Sequence, residues 1–293
     1  MPRARPARAE FAPAKVNLTL HVLGRRPDGY HEIESLVVFA DAGDRLTLAP
    51  ADELSLTVQG PTGAAAGATG DNLVLKAARA LAGRVDGLRT GRFTLDKQLP
   101  VAAGLGGGSS DAAAALRLLA RHNSLSLEDP RLHAAARQTG ADVPVCLDPR
   151  PRMMRGIGEI LSAPVRLPEL AAVLVNPGVA VPTRDVFAAL AAPALTSPAQ
   201  ADDFITIDTD AASLVSVLSA RRNDLEIPAI RIQTIIADVL AALQAFPDCL
   251  LARMSGSGAT CFGLFGSNGA AQEAAERMQN NRPGWWVRAT TFN

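Results

Sequence analysis

Residues 15–23, KVNLTLHVL, alternate strictly, with Val16, Leu18, Leu20 and Val22 on one face and Lys15, Asn17, Thr19 and His21 on the other. A period of two predicts a half-buried β-strand. Shorter strand patterns follow at 36–40, 45–49 and 54–58, separated by turns holding glycine and aspartate, and the Gly/Ala-rich stretch 60–70 predicts a loop. Asp71 or Asn72 stands where it would cap an amphipathic helix with Leu73, Ala77, Ala80 and Leu81 at helical spacing, and 92–96 predicts a strand. An alanine- and leucine-rich helix is expected over 110–121 and a weaker one over 131–138. Beyond about residue 155 the pattern restarts. It gives a strand at 171–175, a helix capped by Thr183 and running to Leu190, a long Pro/Ser/Asp-rich connection over 193–210, and helices at 211–220 and 229–246. A strand at 260–265, a helix at 270–280 and a strand at 285–292 close the chain. Strands and helices mix without the regular alternation of a doubly wound sheet, so the expected class is α+β, with a mostly antiparallel sheet in each of two lobes.

A length of 293 residues suits two lobes or one large domain, and the restart divides the chain into 1–155 and 156–293. The 29 basic and 29 acidic residues cancel, so no bulk charge points to nucleic acid or to an anionic membrane. The expected partner is a small molecule, with no nucleic acid and no membrane, and the chain is expected to be a monomer or weak homodimer. The opening MPRARPAR has three arginines, two prolines and no apolar block, and reads as a solvated arm. The apolar stretch near 170–181 is broken by Asn176, Pro177 and Gly178, short of a membrane span. Three scattered cysteines without a CxxC pair fit a reducing, cytoplasmic compartment. Four histidines in no ligand-like spacing argue against a zinc site, and no metal ligand is assigned.

Chemistry concentrates in residues 99–116, LPVAAGLGGGSSDAAAAL. Gly104, Gly106, Gly107 and Gly108 stand between a strand and a helix opened by Ser109 and Ser110. Such glycines let backbone N–H groups converge on an anion, and the helix start adds first-turn amides and partial positive charge. A plain glycine turn with a serine cap would use the same residues. There is no GxxxxGK[ST], and the spacing is not that of a dinucleotide-binding GxGxxG. A second cluster, RMSGSG at 253–258, leads into a strand, and Gly256 and Gly258 would allow close approach to a backbone or ligand. Asp142 lies in GADVP, where Gly140 ends a helix and Pro144 is expected to hold the following residues extended. Lys15 and Asn17 lie on the polar face of the first strand, and RPDGYH at 26–31 makes a turn that presents Tyr30 and His31. Taken singly, these three are ordinary surface features.

Taken together, PAKVNLTLHVLGRRPDGYHEI, the glycine-serine stretch, GADVP and MSGSGATCF occur in an order that resembles the 4-diphosphocytidyl-2-C-methyl-D-erythritol kinase family of the non-mevalonate isoprenoid pathway. That family lies within the superfamily of galactokinase, homoserine kinase and mevalonate kinase. The resemblance runs from about residue 13 to 265. It implies a two-lobed fold with the active-site cleft between the lobes and ATP-dependent phosphorylation of the 2-hydroxyl of 4-diphosphocytidyl-2-C-methyl-D-erythritol, with Mg²⁺. Asp142 matches the family's catalytic base and Lys15 the residue that stabilises the moving charge. A carboxylate is too weak a base to strip an alcohol in advance, but can take its proton as the oxygen–phosphorus bond forms. Gly104, Leu105, Gly106, Gly107, Gly108, Ser109 and Ser110 would hold the ATP phosphates, with Pro100 beside them and Asn72 and Lys97 near the adenine. At the acceptor, the resemblance implies that Asn17 lies near Lys15 and the reacting hydroxyl, that Tyr30 and Phe187 stack on cytosine, that His31 hydrogen-bonds it, and that Thr183 lies close by.

Two stretches depart from the family pattern. DPRPRMMR at 148–155 replaces a small apolar segment, leaving Arg150, Arg152 and Arg155 as expected surface charge, and Cys146 replaces a bulkier apolar residue. A related decarboxylase would share the glycine loop and the aspartate but offers no base for RPDGYH. A non-catalytic nucleotide-binding protein would not need Lys15 and Asp142.

Overall fold

The computed structural model describes residues 7–67, 69–195 and 210–293. Contacts divide the chain into two units, one drawn from 1–14, 43–101 and 106–149, the other from 15–42, 102–105 and 150–293. Strands β1 (Arg8–Asn17) and β3 (His31–Pro50) each contribute residues to both.

In the first unit, the second half of β3 pairs antiparallel with β5 (Gly91–Asp96), which pairs parallel with β4 (Ser55–Gln59). Helix α1 (Leu73–Ala82) packs on α2 (Gly107–His122) and α3 (Pro130–Thr139), and α2 also packs on α4 (Val143–Leu147). The alternation Leu46, Leu48 against Phe93, Leu95 supplies the sheet side of the core. Nearly every position of α2 is buried, including Ala112–Ala115, whose small side chains let neighbouring helices approach. Arg117 is buried with them because all three of its donor groups are engaged: Nε with Glu10 Oε2 (2.9 Å), Nη1 with the Cys146 carbonyl (2.6 Å) and Nη2 with the Phe11 carbonyl (2.9 Å).

In the second unit, β2 (His21–Arg25) and β6 (Arg152–Gly156) pair antiparallel with the first half of β3, and the short β7 (Ile160–Leu161) pairs with β6. A four-strand antiparallel run follows in the order β11 (Trp286–Phe292), β8 (Leu170–Asn176), β10 (Cys261–Phe265), β9 (Cys249–Met254). Helices α5 (Thr183–Leu190), α6 (Ala211–Ser219), α7 (Glu226–Ile232), α8 (Ile235–Gln244) and α9 (Asn268–Asn281) complete it. Its core gathers Val173, Val175, Val186, Ile236, Leu243, Met254 and Val287.

The α+β class holds, and several local expectations do not. The first alternating stretch is split between β1 and β2, and over residues 15–20 both of its faces are buried, with Lys15 at 4% and Asn17 at 2% exposure. The two strands expected at 36–40 and 45–49 are one strand. Its apparent breakers are used in pairing: Asp41 Oδ1 accepts from the Thr291 amide, and Gly43 admits the Ala12 carbonyl, which a Cβ would meet at 2.4 Å. The helix expected over 229–246 is interrupted by an extended Gln233. Pro144 sits in the first turn of α4, where its missing N–H costs nothing, so residues 143–147 are helical rather than extended. Pro182, not Thr183, precedes α5, with no side-chain cap. Arg155 is not loose surface charge: its Nε donates to the buried Glu34 Oε2 at 2.9 Å. Residues 196–209 of the expected long connection lie outside the described residues.

Arg253 in β9 anchors the second unit, donating Nη1 to the Leu18 carbonyl (2.7 Å) and Nη2 to those of Leu218 (2.9 Å) and Arg221 (2.6 Å). A single ammonium cannot reproduce that planar fork. Arg253→Lys should therefore lose about 1–3 kcal/mol of unfolding free energy in urea titration, the cost of buried carbonyls left unpaired. An unchanged midpoint would show that those carbonyls do not depend on the guanidinium.

Candidate active site

Along the glycine-rich stretch, residues 102–105 pack in the second unit and 106–110 open α2 in the first. Left-handed backbone recurs at Ala102 (φ 52°), Gly104 (φ 76°) and Gly106 (φ 60°). Left-handed residues at alternate positions are a recurring feature of anion-binding nests. No side chain caps α2, which leaves its outward first-turn amides available to an anion.

In the first unit, Ser110 is fully buried and its Oγ has no hydrogen-bond partner. Gly108 abuts the start of α1, where a Cβ would lie 3.4 Å from Leu73 Cδ1. The Asn72 side chain caps that helix, accepting from the Val74 amide at 2.9 Å. Pro100 follows the buried Leu99 and is itself half-buried. Asp142 is half-buried and stands immediately before α4 without capping it. Lys97, 4% exposed, donates to Asp44 Oδ2 at 2.5 Å and to Asp111 Oδ2 at 2.7 Å. Burial opposes the lysine's charge, but Asp111 and Asp44 outweigh it and raise its pKa. Burial, with the Asp44 charge, pushes the Asp111 carboxyl up to about 7 despite Lys97. Asp111 Oδ1 has no partner.

In the second unit, Gly104 and the 253–258 loop come together. A Cβ on Gly104 would lie 2.5 Å from the Ser255 carbonyl, so only glycine fits there. Ser255 Oγ donates to the Gly104 carbonyl at 3.0 Å and accepts from the Asn17 amide at 3.1 Å. The Lys15 amide donates to the Leu105 carbonyl at 2.9 Å, and Lys15 Nζ to Asn17 Oδ1 at 3.3 Å. Asn17 Nδ2 in turn donates to Ser35 Oγ at 2.7 Å. Lys15, Asn17, Gly104, Leu105 and Ser255 therefore form one buried polar cluster. Tyr30 is 60% exposed on its turn, whose Asp28 accepts from the Tyr30 amide. His31 stacks on Phe187 with ring centroids 4.7 Å apart. Partial burial, with the nearby Arg25 charge, lowers the His31 pKa. Thr183 Oγ1 pairs with Ser257 Oγ at 2.8 Å, linking α5 to the second glycine loop.

Sequence reasoning missed Asp44, Asp111 and Ser255. Ser255 carried a signal, a serine between residues of a glycine loop. Asp44 and Asp111 carried none, since the partners that give them meaning are distant in the chain.

The fold is that of the GHMP kinases. A profile described as the GHMP kinases N terminal domain matches residues 72–148, and one described as GHMP kinases C terminal matches 210–283. The chain is 60% identical over 286 residues to the 4-diphosphocytidyl-2-C-methyl-D-erythritol kinase of Methylobacterium radiotolerans, covering 97% of this chain and 98% of the relative. It is 55% identical to that of Rhodopseudomonas palustris, covering 98% of each. A crystal structure of 4-(cytidine 5'-diphospho)-2C-methyl-D-erythritol kinase superposes with a TM-score of 0.77 at 35% identity, over 98% of this chain and 99% of that one. The chain belongs to the 4-diphosphocytidyl-2-C-methyl-D-erythritol kinase family.

An acid whose folded pKa lies above its unfolded value of about 3.9 contributes stability at low pH that is lost as pH rises through the folded pKa. The native protein should therefore lose stability relative to Asp111→Asn between about pH 4 and 7. Urea unfolding of both across that range checks this; a constant difference would place the Asp111 proton elsewhere.

Proposed function

We propose that the protein transfers the γ-phosphoryl group of ATP to the 2-hydroxyl of 4-diphosphocytidyl-2-C-methyl-D-erythritol, a step of the non-mevalonate route to isoprenoid precursors. The observation that carries this reading is identity of 53–60% to kinases of that name over nearly the whole chain. Residues 104–110 hold the ATP phosphates, with Pro100 beside them and Asn72 and Lys97 near the adenine; the helix start and the orphaned Ser110 hydroxyl support this reading. Among the described residues no group of three or more His, Cys, Asp or Glu could hold a metal ion. Mg²⁺ would enter with the nucleotide, bound to its phosphates.

Asp142 accepts the hydroxyl proton as the new bond forms, and Lys15 stabilises the charge that moves between donor and acceptor. The Asn17 hydrogen bond to Lys15 fixes where that ammonium lies. Tyr30 and Phe187 stack on cytosine, His31 reads its edge, and Thr183 lines the same slot. The His31–Phe187 stack supports this assignment, since it already gathers two of those rings. We place the functional division near residue 155, with ATP bound by the N-terminal part, and the protein in the cytoplasm as a monomer or weak homodimer. No helix among the described residues is long and apolar enough to cross a membrane.

Purified protein with ATP and Mg²⁺ should phosphorylate the cytidine compound but neither its uridine analogue nor mevalonate. Turnover of mevalonate, or of none of the three, would overturn the assignment. Asp142→Asn should lower kcat by about 10²–10⁴-fold, the range for removing a general base, with acceptor affinity within about threefold by calorimetry. Near-native turnover would remove Asp142 from that role.

A further inference from the structure

Asp44, Lys97 and Asp111 are buried together and join the residues that lead into the glycine-rich stretch to the helix that leads out of it. Asp44, on β3, accepts through Oδ1 from the amides of Gln98 (2.6 Å) and Leu99 (2.9 Å), the residues that lead into the loop, and through Oδ2 from Lys97 Nζ. The Thr62 hydroxyl lies within reach of the carbonyls of Lys97 (3.0 Å) and Leu99 (2.8 Å), its one proton shared between them. Asp111, on α2, receives Lys97 Nζ and so holds the helix that leads out of the loop. Gly107 lies against these groups: a Cβ there would stand 3.2 Å from Lys97 Nζ and 3.7 Å from Asp44 Oδ2.

Burying an ammonium with two carboxylates is costly, and apolar residues of similar volume commonly serve stability as well or better. What the ionic trio adds is directional fixation of both ends of a short loop. That loop has a need for it, because Ala102 holds a left-handed conformation unfavourable to a residue with a Cβ.

We infer that Asp44, Lys97 and Asp111 are positioning residues for the nucleotide, a buried brace that presets the two ends of the glycine-rich loop so that its amides await the phosphates. This rests on reading that loop as the ATP phosphate site. Lys97, with its ammonium engaged by two carboxylates, then serves ATP through the loop. A rise in the Asp111 pKa fits the role, since the brace is close to electrically neutral only when one carboxyl is protonated.

The test is steady-state kinetics with ATP and the cytidine acceptor varied in turn. Asp111→Ala leaves Lys97 paired with Asp44 but frees the helix end. It should raise KM for ATP by about tenfold, equivalent to about 1.4 kcal/mol, while kcat and acceptor KM stay within about threefold. Asp111→Asn, which keeps an oxygen for Lys97, should return ATP KM to within about threefold of native. An unchanged ATP KM in Asp111→Ala, equal shifts in both KM values, or failure of the asparagine to rescue would overturn the brace. If Asp111→Ala melts below the assay temperature, Asp44→Asn replaces it, with the same split expected and the same results overturning. Ser110→Ala separates the two readings. If it raises ATP KM and Asp111→Ala does not, only the brace fails; if neither does, the loop is not the phosphate site.

Discussion

A buried charge must be paired, and that requirement organises the first unit. Lys97 cannot stay ionised at 4% exposure without its carboxylates. Once Asp44 and Asp111 supply them, the chain on both sides of the glycine loop is fixed, because Asp44 also takes two backbone amides and Asp111 belongs to α2. The alanine-rich face of that helix then buries against α1 and α4, and Arg117 crosses it without leaving a donor group unsatisfied. Apolar burial supplies the bulk of the driving force, whereas the ionic contacts decide where the loop stands.

The same logic runs through the second unit with uncharged partners. Asn17 and Thr19 lie on what would be the wet face of an isolated strand, yet both are buried and both are bonded. Asn17 reaches Ser35, Ser35 reaches the Thr19 carbonyl, and Thr19 accepts from the Leu36 amide. Ser255 joins the two glycine loops by accepting from Asn17 and donating to Gly104. A chain of this kind tolerates little displacement, since each unmade bond leaves a buried polar atom without water. It also ties down Lys15, whose Nζ donates to Asn17 Oδ1.

Helices with a clean apolar period were legible, and α1, α2, α3 and α9 lie within a few residues of their expected bounds. Breakers were read less well. Asp41 and Gly43 look like a turn but continue β3, because a backbone amide and a carbonyl from elsewhere in the chain use the spaces they provide. The break between α7 and α8 was invisible because the apolar period continues across Gln233. Pro144 misled for a local reason, as the rule against proline in helices does not apply to the first turn.

The α+β class and, through the order of the motifs, the family were legible from the residues alone. Those properties are written in contiguous residues, where a glycine's freedom, a helix start or an aromatic turn needs no distant partner. Only the tertiary structure decided what Lys97 touches, that the polar face of the first strand is buried, and that Ser255 ties Asn17 to Gly104. The reason is sequence separation. Asp44 meets residue 97, and Asn17 meets residue 255, through pairings that folding creates and that no local pattern of residue types encodes.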